Sequence, residues 1–223
     1  MEVPFAKTEA LGNDFVLVDA LEDCSMFEKL TPYVPAICNR RKGVGADGVL
    51  FLVKGSSAPF MMRLVNADGS EAEMCGNGVR CVAHYLRSKG VDDEVMLIDT
   101  LTSRDSLEVS STNDDNGEPM FRVRMPRPVL LPSLIPTTLG KDRAIAEPLA
   151  TPIGVLDITC VSMGNPHAVV FLDSIEKLKL SVVGSTIETH PAFPRRTNVE
   201  FVRMESPQKA HVRVWERGCG ETM

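Results

Sequence analysis

Aromatic side chains are scarce in this sequence, at 5% with a single Trp, so no stacking platform for nucleobases is indicated. Positive charge is in deficit too. The formal net charge is −6, which makes nucleic acid or an anionic membrane surface a poor partner. No apolar run reaches the roughly 18 residues of a transmembrane helix, and the opening M-E-V-P-F-A-K lacks a basic-then-apolar signal pattern. The cysteines, at 24, 38, 75, 81, 160 and 219, include no C-x-x-C pair. In a chain this long they read as reduced thiols of a cytoplasmic protein rather than as a disulfide framework. What is present is ordinary: 43% hydrophobic and 24% charged residues in 223, enough for one large core or two modest ones.

The informative stretch is N-A-D-G-S-E-A-E-M-C-G-N-G-V-R, Asn66 to Arg80. Val79, Val82, Ala83 and Leu86 recur at helical spacing, and Gly90 stands where a helix would end. Cys75 therefore falls at or just before a helix start, where unpaired N–H groups and the positive end of the helix dipole favour a thiolate. The adjoining glycines leave those N–H groups open to a carboxylate. The competing reading is a cysteine acting as a small buried hydrophobe. Glu71, Glu73 and Asn77 are poor company for a core residue, whereas Cys81 lies in the apolar stripe and reads as packing. Cys75, Cys81 and His84 could suggest zinc, but their spacing fits no zinc motif, and no metal is expected.

Along the chain, strands are expected at 3–7, 14–19, 49–53, 60–65, 94–100, 105–110 and 120–125. Thr31-Pro32 reads as a helix entry, with Val34, Ile37 and Cys38 as its apolar stripe and Gly43 at its end. Gly43 to Gly48, G-V-G-A-D-G, has the letters of a dinucleotide fingerprint. That fingerprint needs a strand before it and a helix after it, and here the order is reversed, so it reads as a turn. Residues 127–152 are rich in proline and read as a linker between a half spanning 1–126 and a half spanning 153–223. The second half should hold strands near 153–162, 168–172, 199–204 and 210–216, with a helical stretch between Ser174 and His190, broken at Gly184.

The halves share a signature. Gly12-Asn13 before an apolar run ending in Asp19 recurs 152 positions on, as Gly164-Asn165 before a run ending in Asp173. Gly69-Ser70-Glu71 has a looser echo 150 positions on, in Cys219-Gly220-Glu221. Duplication would carry the counterpart of Cys75 past residue 223.

Six motifs in order give a more specific signal: L-G-N-D-F at 11–15, G-V-G-A-D-G at 43–48, N-A-D-G-S-E-A-E-M-C-G-N-G at 66–78, V-S-M-G-N-P-H at 161–167, T-N-V-E-F at 197–201 and V-W-E-R-G-C-G-E-T at 214–222. With them the chain resembles the diaminopimelate epimerases over nearly its whole length. The resemblance implies an α/β (α+β) fold of two pseudo-repeated halves, each a sheet wrapped around a central helix, the second half incomplete. It implies interconversion of LL- and meso-diaminopimelate by two cysteines, without pyridoxal phosphate or any other cofactor, in lysine and peptidoglycan precursor synthesis. Cys75 matches the first of the two family cysteines. Asn13, Asn66, Asn165, Asn198, Glu216 and Arg217 match substrate-holding positions, and Gly76 and Asn77 match the carboxylate-binding helix start. His167 and Glu216 match polar groups beside the cysteine pair. The partner implied is the amino-acid substrate, with neither nucleic acid nor membrane, and a homodimer is compatible.

One departure matters. The family continues E-R-G-x-G-E-T-x-A-C-G, which would put its second cysteine two residues after Met223, and Cys219 fills only the variable position. The expectation is a chain that binds substrate weakly, does not epimerise it and has a loosened second half. Inversion needs one group to take the α-proton and another to return it on the opposite face, a task that one ionised and one protonated thiol can share. Simpler readings stay open: Asn13, Asn66 and Asn198 suit turns, His167 suits a surface loop, and Glu216–Arg217 suits an exposed ion pair. So do a proline- or hydroxyproline-type racemase and a silent ligand-binding remnant.

Overall fold

The computed structural model describes residues 2–101 and 106–222; the expected strand start at Asp105, and Met223, lie outside the described residues. The chain divides at Pro126 and Arg127 into two units. In the first, a hairpin of β1 (Ala6–Ala10) and β2 (Asn13–Asp19) leads through helices α1 (Ser25–Leu30) and α2 (Val34–Cys38) to β3 (Gly48–Lys54), which runs parallel to β2. Strand β4 (Phe60–Asn66) and the short β5 (Glu71–Ala72) fold back antiparallel. Helix α3 (Gly76–Ser88) follows, and then β6 (Val95–Asp99), β7 (Leu107–Asn113) and β8 (Pro119–Val123). The sheet order is β1-β2-β3-β4-β6-β7-β8, with β5 on β4.

Alternation along β2 and β3 sends side chains to two cores. Phe15, Leu17, Leu50 and Leu52 meet Val79, Val82, Ala83 and Leu86 of α3, and β1, β4 and β8 complete the wrap around that helix. Val16, Val18, Val49 and Phe51 face Leu30, Val34 and Cys38. The helix expected to enter at Thr31-Pro32 begins earlier, at Ser25. Thr31 continues it into a 3-10 turn, and its hydroxyl donates to the Phe27 carbonyl at 2.7 Å instead of capping. The N-terminal strand lies at 6–10 instead of 3–7, because its register is set by pairing with β2.

In the second unit the strands are β9 (Glu147–Thr151), β10 (Gly154–Ser162), β11 (Pro166–Phe171), β12 (Asn198–Ser206), β13 (Lys209–Glu216) and β14 (Gly220–Thr222), in the order β14-β13-β12-β11-β10-β9. Helix α4 (Leu180–Glu188) packs Leu180, Val183 and Ile187 on Ala168, Val170, Val199 and Phe201. It is unbroken at Gly184, where a side chain would meet the Trp215 ring at 2.7 Å. The proline-rich stretch read as a linker is packed into this unit. Ile135, Ala144 and Leu149 are buried in its core, Val129 bridges to Ser162, and 147–151 is an edge strand. Its prolines hid a core segment because they suppress periodicity without preventing burial.

The two sheets repeat one topology. From β5 the first reads β5-β4-β3-β2-β1, and from β14 the second reads β14-β13-β12-β11-β10. In both, successive pairings are antiparallel, antiparallel, parallel and antiparallel. The registers agree as well. Phe15 lies opposite Gly48 as His167 lies opposite Asn198, and Val49 lies opposite Val65 as Val199 lies opposite Trp215. The offsets are 153 from β1 to β10, 152 from β2 to β11 and 150 on the others, the last two as in the sequence signature.

Asp99 ties the first unit together at the end of β6. Its carboxylate accepts the N–H groups of Ser56, Ser57 and Ala58 at 3.0, 2.9 and 3.1 Å and the Ser106 hydroxyl at 2.6 Å. Burial pushes its pKa up, but the Ser106 and backbone donors outweigh that and hold it below the usual carboxylate value. Asp99→Ala should cost about 2–3 kcal/mol at pH 7, because three N–H groups lose a charged acceptor. A lowered folded pKa means that this contribution is complete above about pH 4 and is lost as the pH falls through the folded value. Urea unfolding of both proteins at pH 7 and pH 3 should show the gap closing at the lower pH.

Candidate active site

Cys75 has extended backbone, φ −150° and ψ 109°, and is the N-cap of α3. Its sulfur accepts the Gly78 N–H at 3.3 Å and its carbonyl accepts that of Val79 at 3.0 Å. The thiol thus occupies the place a capping serine or aspartate oxygen usually takes. The glycines beside it differ in kind. A side chain at Gly78 would press on Leu50 and Met62 at 2.9 and 3.1 Å, so this glycine lets the helix lie against the sheet. At Gly76 the nearest atoms, of Arg80 and Met125, are 3.7 and 3.8 Å away. Packing does not demand glycine there, and the bare first turn leaves its N–H groups reachable by an anion.

A directional hydrogen-bond chain runs from this helix start. Arg80 Nη1 donates to Asn77 Oδ1 at 3.1 Å, Asn77 Nδ2 to Asn13 Oδ1 at 2.7 Å, and Asn13 Nδ2 to Asp47 Oδ2 at 3.3 Å. A guanidinium only donates and a carboxylate only accepts, so the two ends fix both amides. Each amide keeps one further N–H. Asp47 also accepts the Asp14 N–H at 3.1 Å, and Arg40 bridges Asp47 and Asp14 at 2.7 and 2.6 Å. The Arg40 guanidinium, aided by Lys7, overcomes partial burial and holds the Asp14 carboxyl at about 2. Asn66 closes the 66–70 turn, its Nδ2 donating to Ser70 Oγ at 3.1 Å. Sequence reading missed Asp47, although it lies within G-V-G-A-D-G; only the parallel β2–β3 pairing brings it to Asn13.

In the second unit, Asn165, His167, Asn198, Glu216 and Arg217 gather where β11, β12 and β13 end. His167 Nδ1 is 2.6 Å from Glu200 Oε1, and Nε2 is 2.8 Å from Asn165 Oδ1. Asn198 is tied at both ends: its Nδ2 donates to the Pro166 carbonyl at 3.1 Å, and its Oδ1 accepts the Arg217 N–H at 2.9 Å. Thr222 donates to Glu216 at 3.1 Å, and Arg217 Nη1 to the Arg195 carbonyl at 3.1 Å. The buried Glu188 shapes this turn. It accepts Trp215 Nε1 at 2.7 Å, the Gly218 N–H at 3.2 Å and Arg196 at 3.5 Å. Nothing local marks Glu188, among small polar residues of a helix end, or Glu200, between Val199 and Phe201. By register Cys219 takes the place of Gly69, not of Cys75.

Among the described residues, no group of three or more His, Cys, Asp or Glu side chains could hold a metal ion, and no helix is long and apolar enough to cross a membrane. Cys81 packs in the core and His84 stands edge-on to Phe121 at 5.8 Å.

The fold recurs in solved structures of low sequence identity. It matches a probable proline racemase from Agrobacterium radiobacter with a TM-score of 0.70 at 13% identity, over 99% of this chain and 72% of the other. It matches a hydroxyproline epimerase from Agrobacterium vitis with a TM-score of 0.64 at 14% identity, over 98% and 71%. Sequence narrows the class. Residues 5–130 and 159–223 match the diaminopimelate epimerase family. The diaminopimelate epimerase of Carboxydothermus hydrogenoformans is 47% identical over 98% of this chain and 78% of its own length. That of a Synechococcus species is 47% identical over 98% and 77%. The chain belongs to the diaminopimelate epimerase family, a family of isomerases.

Two experiments follow from the thiol's surroundings. Burial pushes the Cys38 and Cys160 thiols up to about 11 and raises that of Cys81, whereas Cys75 is half-exposed. Brief alkylation at neutral pH, read by peptide mass spectrometry, should label Cys75 ahead of all three. Separately, Gly76→Ala should fold with unchanged or slightly higher stability yet lose activity, while Gly78→Ala should cost about 1–3 kcal/mol by overpacking. Thermal melts and activity assays on the pair check both.

Proposed function

We propose that Cys75 serves one face of the α-carbon in a two-base interconversion of LL- and meso-diaminopimelate that needs no cofactor. The observation that supports this best is the thiol capping the glycine-bare start of α3. Family membership supports diaminopimelate as the substrate. The Cys75 thiolate takes the α-proton, the C–H electron pair stays on carbon, and a second thiol returns a proton to the opposite face. In the repeat, that thiol's position is the one equivalent to Cys75. Negative charge spreading into the substrate carboxylate is stabilised by the fixed N–H donors at Gly76 and Asn77. Asn13, Asn66, Asn165, Asn198, Glu216 and Arg217 hold the amino-acid ends, so that the α-carbon is presented to the thiols rather than found by collision. His167 and Glu216 are the polar groups beside the reacting centre. The product serves lysine and peptidoglycan precursor synthesis.

Solvent-deuterium exchange into each diaminopimelate stereoisomer tests the proposal. Cys75→Ser should slow the exchange at least about a hundredfold, and dialysis against a chelator should leave it unchanged. Exchange that survives the substitution, or that appears with proline but not with diaminopimelate, would overturn the reading.

A further inference from the structure

The duplicated register allows the two sheets to be compared position by position. On the face of the first sheet that packs against α3, Phe15 and Leu50 lie on neighbouring parallel strands, and they are 3% and 0% exposed. The matching positions of the second sheet, 152 and 150 places on, hold His167 and Glu200. Two apolar side chains thus fit this place in the fold, and the second unit uses an imidazole and a carboxylate there. The exchange is costly to stability. Both side chains are largely buried, at 22% and 17% exposure. Glu200 Oε2 is buried and has no hydrogen-bond partner among the described residues. A buried carboxylate oxygen without a donor has given up its hydration for nothing in return, so an arrangement that retains one answers to something other than folding.

The geometry shows what the carboxylate does. Glu200 Oε1 is 2.6 Å from His167 Nδ1, and an ionised carboxylate can only accept, so Nδ1 must carry a proton. The other nitrogen, Nε2, is turned toward Asn165 Oδ1 at 2.8 Å, an oxygen that likewise accepts. We propose that Glu200 is a positioning residue for the reaction: it holds a proton on Nδ1 of His167 and so sets the ring orientation that turns Nε2 to Asn165 Oδ1 and the substrate. The proposal rests on the reading of Asn165 and His167 as site residues. Glu200 touches the imidazole and acts through it, as carboxylates that orient a catalytic histidine do elsewhere.

The test uses the whole chain, labelled with nitrogen-15 in its histidines, and Glu200→Leu and Glu200→Gln variants. Leucine is chosen because the first unit holds Leu50 at this place, and glutamine keeps an acceptor for Nδ1–H. Long-range proton–nitrogen correlation, assigned with a His167→Gln variant, should show His167 protonated at Nδ1 in the native chain. Glu200→Leu should populate the Nε2–H form and slow deuterium exchange into diaminopimelate roughly tenfold or more. Glu200→Gln should restore the Nδ1–H form and most of the rate, with KM changed less than kcat in both. A native His167 unprotonated at Nδ1 overturns the proposal, whether or not the variants fold. So does Glu200→Leu that loses the Nδ1 proton yet exchanges at the native rate, or that slows with the proton still on Nδ1. Native-rate exchange in His167→Gln would instead sink the assignment of His167 to the site, while the spectra would still report the Glu200 contact.

Discussion

Packing fixes the position of the Cys75 thiol, in opposition to local preference. Gly76 and Gly78 fall in the first turn of α3, and each costs about 1 kcal/mol relative to alanine in a helix. Val79, Val82, Ala83 and Leu86 are buried on the inner face of that helix, and burying a Val or Leu side chain gives about 1.5–3 kcal/mol. The core term outweighs the propensity cost, so the helix begins where the sheet dictates. Cys75 is held at the first place where the helix stops being packed. Its sulfur takes an N–H that a polar cap would otherwise satisfy, and the glycine next to it leaves the remaining donors uncovered. A poor helix start is tolerated because the rest of the helix cannot move.

The second unit repeats the five-strand topology of the first but assigns the face differently. In each, the helical crossover between the parallel strands covers one side with an apolar core: α1 and α2 over Val16, Val18, Val49 and Phe51, and α4 over Ala168, Val170, Val199 and Phe201. That side has kept its chemistry through the repeat. The other has not, since Phe15 and Leu50 correspond to His167 and Glu200, and Gly48 and Asn66 to Asn198 and Glu216. Polar residues have accumulated on one face while the backbone registers stayed aligned. This is the pattern expected when a scaffold is retained and its chemistry is varied.

Carboxylates that fix how a neighbour is oriented recur in both units. Asp47 terminates the chain of amides through Asn13 and Asn77, Glu200 meets His167, and Glu188 gathers Trp215 and Gly218 around the turn that carries Arg217. Each is an acceptor-only group that decides which way a neighbour must point. An asparagine or imidazole can present either a donor or an acceptor to a ligand, and the carboxylate behind it removes the choice. Asn198, engaged at both ends by backbone, is a brace between β11 and the Arg217 turn as much as a ligand-facing group.

Periodicity and capping chemistry made α3 and the place of Cys75 legible in the sequence, because a helix start is a local event written in consecutive residues. The G-V-G-A-D-G turn was legible for the same reason, and the repeat was visible in two short signatures. The start of α1 was misread because Thr31-Pro32 is a good entry in isolation, but a helix already under way can take both residues. The proline-rich stretch was misread because burial of Ile135, Ala144 and Leu149 leaves no periodic trace. Residue identity therefore determined the thiol, its helix and the family motifs. Only tertiary pairing decided which carboxylates stand behind them, since Asp47 reaches Asn13, and Glu200 reaches His167, across neighbouring parallel strands separated in sequence by a helical crossover.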